Sequence, residues 1–221
     1  MSFAAKKKFA SLLAMALILC IGDLGNAGKK KGKPGYVEIL TLDLGETGVE
    51  FTLELETEAV AAGEKHMVPW LDSASEDGFL VIDATALKKK GWFIEERDTA
   101  SRLSGYVIFS TGHSLRDPNE KRWNYKRLMV LLSAFDDNKD RKIDKQDPIY
   151  PLLGVFRDAN SNGKIDSGEV STLAALEIAA IKLFVSGKTK DAFNNLHQFF
   201  KVEKTDGSTT QAHLVRISLK K

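Results

Sequence analysis

The sequence predicts an α+β fold: a small antiparallel sheet made of hairpins, joined to a paired helix–loop–helix–loop–helix unit. Three observations predict it. Runs of alternating apolar and polar residues flank turn residues early and late in the chain. A central stretch carries apolar residues at helical spacing. Two runs with an oxygen-bearing side chain at every second position follow that stretch. Strands and helices mix without a β–α–β rhythm, so a parallel doubly wound sheet is not expected.

The chain has 221 residues, 43% of them hydrophobic and 28% charged. That is enough for one domain with a sizeable core. The first 27 residues predict a secretory signal peptide. Lys6, Lys7 and Lys8 form its basic start, Phe9–Gly22 its apolar stretch, and Gly25 and Ala27 the small residues before a cleavage after Ala27. The expected location is secreted or periplasmic, with no membrane span after cleavage. Two alternatives are an uncleaved anchor and a lipoprotein attached at Cys20, although Leu19 stands where a small residue is wanted. Cleavage would remove three lysines, Asp23 and the single cysteine, leaving acidic and basic side chains in balance. That argues against a nucleic-acid partner, which needs a sustained basic surface. Without disulfides, the domain must be held by its core, by metal or by both.

Residues 28–35, GKKKGKPG, read as a flexible basic arm, and 36–221 as a single domain. Tyr36–Glu56 alternates about a turn near Gly45–Gly48, which predicts a hairpin. Gly78–Asp83 and Gly105–Ser110 are short apolar runs and predict strands. Arg122–Phe135 is expected to be helical, with Leu128, Leu131, Leu132 and Phe135 on one apolar face. Pro148–Arg157 reads as a short helix with Asp147 as its cap and Pro148 at its first position. VSTLAALEI reads as a further short helix and AAIKLFV as a strand. His197–Leu219 predicts a closing hairpin about Asp206–Gly207.

The two oxygen-bearing runs carry the chemistry. Calcium is a hard cation that takes six to eight oxygens, and a twelve-residue loop supplies them from alternate positions about a sharp bend. In DANSNGKIDSGE, Asp158, Asn160 and Asn162 hold positions one, three and five. Gly163 is at the bend, where a positive φ favours glycine. Lys164 offers its backbone carbonyl, Asp166 is at position nine, and Glu169 closes the loop at position twelve. DDNKDRKIDKQD repeats the pattern with Asp136, Asn138, Asp140, the Lys142 carbonyl, Asp144 and Asp147. Ile143 and Ile165 share position eight and are expected to face the core, their backbones free to pair with a partner loop. The two loops differ in quality. Arg141 stands where glycine is wanted, Asp147 is shorter than glutamate, and Lys139, Arg141, Lys142 and Lys145 offset the first loop's acidic charge. The second loop is therefore expected to bind calcium more tightly. The segment between them is short, so one helix is expected to leave the first loop and enter the second.

LLSAFDDNKDRKID and LLGVFRDANSNGKIDSGEVSTLAALEIAAIKL together resemble the EF-hand-like calcium-binding module of bacterial RTX and haemolysin-type calcium-binding proteins. LDLGETGVEFT, WLDSASEDGFLVID and KVEKTDGSTTQA are similar to further elements of that family. The resemblance implies Ca2+ as cofactor and an EF-hand-like pair at 122–177. The glycine-rich nonapeptide repeats of RTX toxins do not occur. Gly45 and Thr47 replace oxygen donors of the family's upstream element, which places Asp43 outside a working site, and ATALKKKGWF after Asp83 carries no ligands.

Elsewhere, His66, His113, His197 and His213 have no zinc-like spacing and read as surface histidines. Trp70, Trp92 and Trp123 read as core. No nucleophile has a recognisable setting. The expected function is that of an exported, non-enzymatic calcium-binding protein whose ions stabilise the fold. The alternatives are a secreted hydrolase with structural calcium, or a cell-surface module with a protein partner.

Overall fold

The strand Tyr36–Asp43 (β1) is buried at every position except its first. Side chains along a strand alternate between faces, so both sides of β1 must be covered. A computed structural model describes how. It covers residues 35–57, 60, 65–91, 93–94, 105–111, 115–116, 122–123, 127–191 and 194–219, all within one compact unit, 34–221. The expected signal peptide 1–27 and all of the basic arm except Gly35 lie outside the described residues. Among those described, no helix is long and apolar enough to cross a membrane.

After β1 come Phe51–Thr57 (β2), His66–Leu71 (β3), Gly78–Asp83 (β4) and the helix Ala84–Lys89 (α1). Phe93–Ile94 (β5), Tyr106–Ile108 (β6), Leu115–Arg116 (β7) and Arg122–Trp123 (β8) follow, then the helix Leu128–Ser133 (α2) and Lys142–Asp144 (β9). A 3-10 turn at Tyr150–Leu152 leads into Leu153–Phe156 (β10). Val170–Thr172 (β11), Ile178–Lys190 (β12), Leu196–Lys204 (β13) and Thr209–Ser218 (β14) complete the order. The main sheet runs β11-β10-β4-β1-β14-β13-β12-β9, with β6 also on β4, and its pairs are antiparallel. β2 and β3 pair separately, as do β5, β7 and β8.

Strict alternation feeds two cores. Leu40, Leu42, Leu80, Ile82, Ala212 and Leu214 pack on one face with α2. Ile39, Phe79, Val81, Val215 and Ile217 pack on the other, under the β2–β3 hairpin and Trp70. Glu38, in β1 and only 2% exposed, ties α2 to the sheet. One of its oxygens accepts from Leu128 N at 2.8 Å, the other from Arg216 Nη2 at 2.7 Å. It thus supplies the cap that Arg127 does not.

The fold is mostly β, which corrects the α+β expectation. Among the described residues only α1 and α2 are α-helical, each six residues long. The expected helix–loop–helix–loop–helix unit at 122–177 is not formed. The Arg122–Phe135 helix shrinks to α2, with Arg122–Trp123 paired to β7 instead. Its apolar face is as expected, since Leu128, Leu131, Leu132 and Phe135 are all buried. Pro148–Arg157 is not an α-helix but the 3-10 turn and β10, and Asp147 does not cap it. β10 is buried at all four positions, and a short, fully apolar run carries no periodicity to separate strand from helix. VSTLAALEI becomes β11 and a turn in which Thr172 Oγ1 accepts from Ala175 N at 3.1 Å. The Tyr36–Glu56 hairpin is also corrected. β1 pairs with β14 and β4, while β2 pairs with β3. The closing hairpin forms as expected, with β13 and β14 in register from Leu196↔Arg216 to Glu203↔Thr209.

Candidate functional site

The second oxygen-bearing loop joins β10 to β11, so it is the connection of an antiparallel hairpin. Its first residue, Asp158, is buried. Asp158 Oδ1 accepts from Asn162 N at 3.1 Å and Oδ2 from Gly163 N at 2.7 Å. Asn160 Oδ1 accepts from Asn162 N at 3.1 Å, and Asn162 Oδ1 from Lys164 N at 2.7 Å. Glu169 reaches back over the loop, with Oε1 accepting from Ala159 N at 3.0 Å and Oε2 from Asp166 N at 2.9 Å. Asp166 Oδ2 accepts from the side-chain amides of Asn162 at 2.8 Å and Asn160 at 3.1 Å. Those two bonds hold the Asp166 carboxyl below the usual range.

The first loop repeats the backbone part of this network position by position. Asp136 Oδ1 accepts from Asp140 N at 3.2 Å and Oδ2 from Arg141 N at 2.9 Å. Asn138 Oδ1 accepts from Asp140 N at 3.1 Å, and Asp140 Oδ1 from Lys142 N at 3.2 Å. Asp147 closes the loop as Glu169 does, accepting from Asp137 N at 2.8 Å and Asp144 N at 3.0 Å. The backbone repeats as well. Position four is left-handed in both loops (Lys139 φ 60°, Ser161 φ 53°), and so is position six (Arg141 φ 65°, Gly163 φ 70°). The bend expected from the glycine at position six is therefore present even where arginine must adopt it.

The loops are not partners of each other. Ile143 and Ile165 are both buried, as expected, but in different cores. Ile143 pairs through its backbone with Ile181 of β12, and the two position-eight residues do not meet. The first loop follows α2 and leads to the 3-10 turn. The second rests on the β2–β3 hairpin. Trp70 Nε1 donates to Asp158 Oδ2 at 2.9 Å, and Thr57 Oγ1 donates to the Gly163 carbonyl at 2.9 Å. A Cβ on Gly163 would lie 2.8 Å from Leu55 Cδ2. Trp70 was expected as core and is fully buried, but its role as a donor was not foreseen, nor was that of Thr57. The available signal was chemical: a buried indole N–H usually finds an acceptor.

The two loops differ most at position seven. Lys142 folds its ammonium back, 2.6 Å from Asp144 and 3.4 Å from Asp140. Its bond to Asp144 raises the Lys142 pKa. Burial opposes ionisation of Asp144, but the Lys142 ammonium and the Gln146 N–H hold its carboxyl below the usual range. Lys164 is exposed and forms no ion pair among the described residues.

Among the described residues no three or more His, Cys, Asp or Glu side chains are gathered to metal-binding distance. The loops' oxygens are turned instead to their own N–H groups. The donor set still suits calcium chemically, since it is made entirely of carboxylate, amide and carbonyl oxygens. The upstream element is held differently. Asp43 Oδ2 accepts from Gly48 N at 3.1 Å, and Asp77 accepts from Leu44 N at 3.0 Å. Burial raises the Asp77 pKa, with the Asp43 charge adding to it.

The histidines are not surface groups: His66, His197 and His213 are buried, while His113 lies outside the described residues. His197 Nδ1 lies 3.3 Å from His213 Nδ1, and its Nε2 lies 3.1 Å from Asp191 Oδ2. Trp92 and the Trp123 side chain are likewise outside what is described.

No curated protein matches the chain. Residues 108–218 match the SPM domain. The matched span begins in β6 and ends in β14, taking in both loops and the closing hairpin. It covers half of the sequence, and on that ground the protein belongs to the SPM domain family.

Proposed function

We propose that the protein binds calcium through its two twelve-residue loops, each fastening a separate face of the sheet. One observation carries this reading: the same backbone hydrogen-bond network and the same pair of left-handed residues recur at matched positions of two loops whose buried isoleucines lie in different cores. The second loop would hold the ion through Asp158, Asn160, Asn162, Asp166, Glu169 and the Lys164 carbonyl. The first would use Asp136, Asn138, Asp140, Asp144, Asp147 and the Lys142 carbonyl. Each ionised carboxylate has lone pairs left after accepting its N–H bonds. Bound calcium supplies charge neutralisation only, and the protein is read as an exported, non-enzymatic binder. The sequence resemblance to an EF-hand-like calcium module supports the reading independently of the fold.

Thermal unfolding of the full chain tests it, in chelator, in calcium and in magnesium. Calcium should raise the melting temperature, and magnesium should do so far less, because it demands a smaller octahedral shell. Glu169→Ala should remove most of the calcium-dependent rise. Identical melting in calcium and chelator would end this reading.

A further inference from the structure

The Lys142 ammonium lies between Asp140 and Asp144, positions five and nine of the first loop, at 3.4 and 2.6 Å. Asp140 Oδ2 also accepts from Asn138 Nδ2 at 3.1 Å, and Asp144 Oδ1 from Gln146 N at 2.8 Å. Asp136 and Asp147 are occupied by backbone N–H groups. The four aspartates at ligand positions are thus satisfied, and the Lys142 ammonium is the cation that stands between two of them.

In the second loop, Asp166 is instead met by the neutral amides of Asn162 and Asn160. These amides carry no net charge, so no cation has to leave before calcium enters, whereas the Lys142 ammonium must be displaced. Lys142 is also tethered within the loop, so it returns at a high effective concentration whenever it leaves.

We infer that Lys142 is the first loop's own cation: its ammonium takes the place of calcium between positions five and nine. The first loop then closes without metal and takes calcium only by displacing Lys142, so the second loop is the first to respond to calcium. The inference rests on the calcium reading above and divides the two loops by role.

Calorimetry with calcium chloride on the full chain tests it, in a Glu169→Ala background that silences the second loop. With Lys142 intact, little binding is expected. Lys142→Gln in that background should raise affinity by about tenfold or more, since removing one adjacent charge is worth at least one decade. Lys145→Gln, which removes a charge at the rim, should not. Melting in chelator gives a second readout. Lys142→Gln should melt below wild type, and calcium should restore it, whereas Lys145→Gln should do neither. Calcium binding to the first loop that is indifferent to Lys142 would overturn the inference alone. Absence of calcium binding in every chain, Lys142→Gln included, would overturn the calcium reading with it.

Discussion

Trp70 fills the core beneath the second loop and also holds that loop's leading carboxylate. Its ring lies 4.5 Å from that of Phe79, and its N–H points to Asp158. Trp70→Phe keeps most of the apolar volume and deletes the donor. Asp158 then loses one charge-assisted bond, which typically costs about 1–3 kcal/mol. Denaturant unfolding should show that loss, and calorimetry should show weaker calcium binding at the second loop with the first unchanged. A second residue-scale effect concerns acid. Burial lowers the His213 pKa from its ordinary 6.5 to about 4, and the nearby His197 adds to the shift. The unfolded chain therefore binds a proton on His213 that the folded chain refuses. Stability is fully present above about pH 6.5 and falls as pH drops from there towards 4. Asp191, held below the usual range against burial by Asn195 and His197, loses its contribution in the same direction at lower pH. His213→Leu should flatten the upper part of this decline in a melting-temperature profile. None of these roles is written locally in the sequence. Trp70 and Asp158 are 88 residues apart, and only the sheet order brings them together.

Among the elements, the loops were the most legible and their flanks the least. Oxygen spacing, the glycine bend and the buried isoleucine all belong to the loop itself, so the residues carry the signal. Whether helix or strand follows depends on what the flank packs against. β10 is covered on both faces, so its periodicity is lost. Gly154 was the available clue, because a Cβ there would lie 2.9 Å from the Ser171 carbonyl, a close approach typical of neighbouring strands. The bends also give a matched pair of expectations. Arg141 adopts φ 65°, a strained value for a residue with a side chain. Arg141→Gly should therefore stabilise the protein by up to about 1 kcal/mol, net of glycine's extra unfolded-state entropy. Gly163→Ala meets both the left-handed strain and the Leu55 methyl, so it should destabilise by more than that. Chemical denaturation of the two variants measures both signs.

Across the whole molecule, the sheet separates the two loops. One packs with the core that contains Ile143 and α2, the other with the core that contains Ile165 and Trp70. Changes in separate cores with no shared partner add. The stability losses of Asp136→Ala and Glu169→Ala in calcium should therefore sum in the double variant. A large coupling energy would show that the sheet transmits strain between its faces.

The central pairing sets a further condition, one of timing. β1 meets β14 from Tyr36↔Ser218 to Asp43↔Gln211, so the middle of the sheet joins residues from opposite ends of the described chain. Contacts of such long sequence separation form slowly, because the loop between them must close first. Until Ser218 has been synthesised, β1 lacks its main partner and the two cores stay open on that side. The centre of the main sheet is therefore closed only once β14 has emerged.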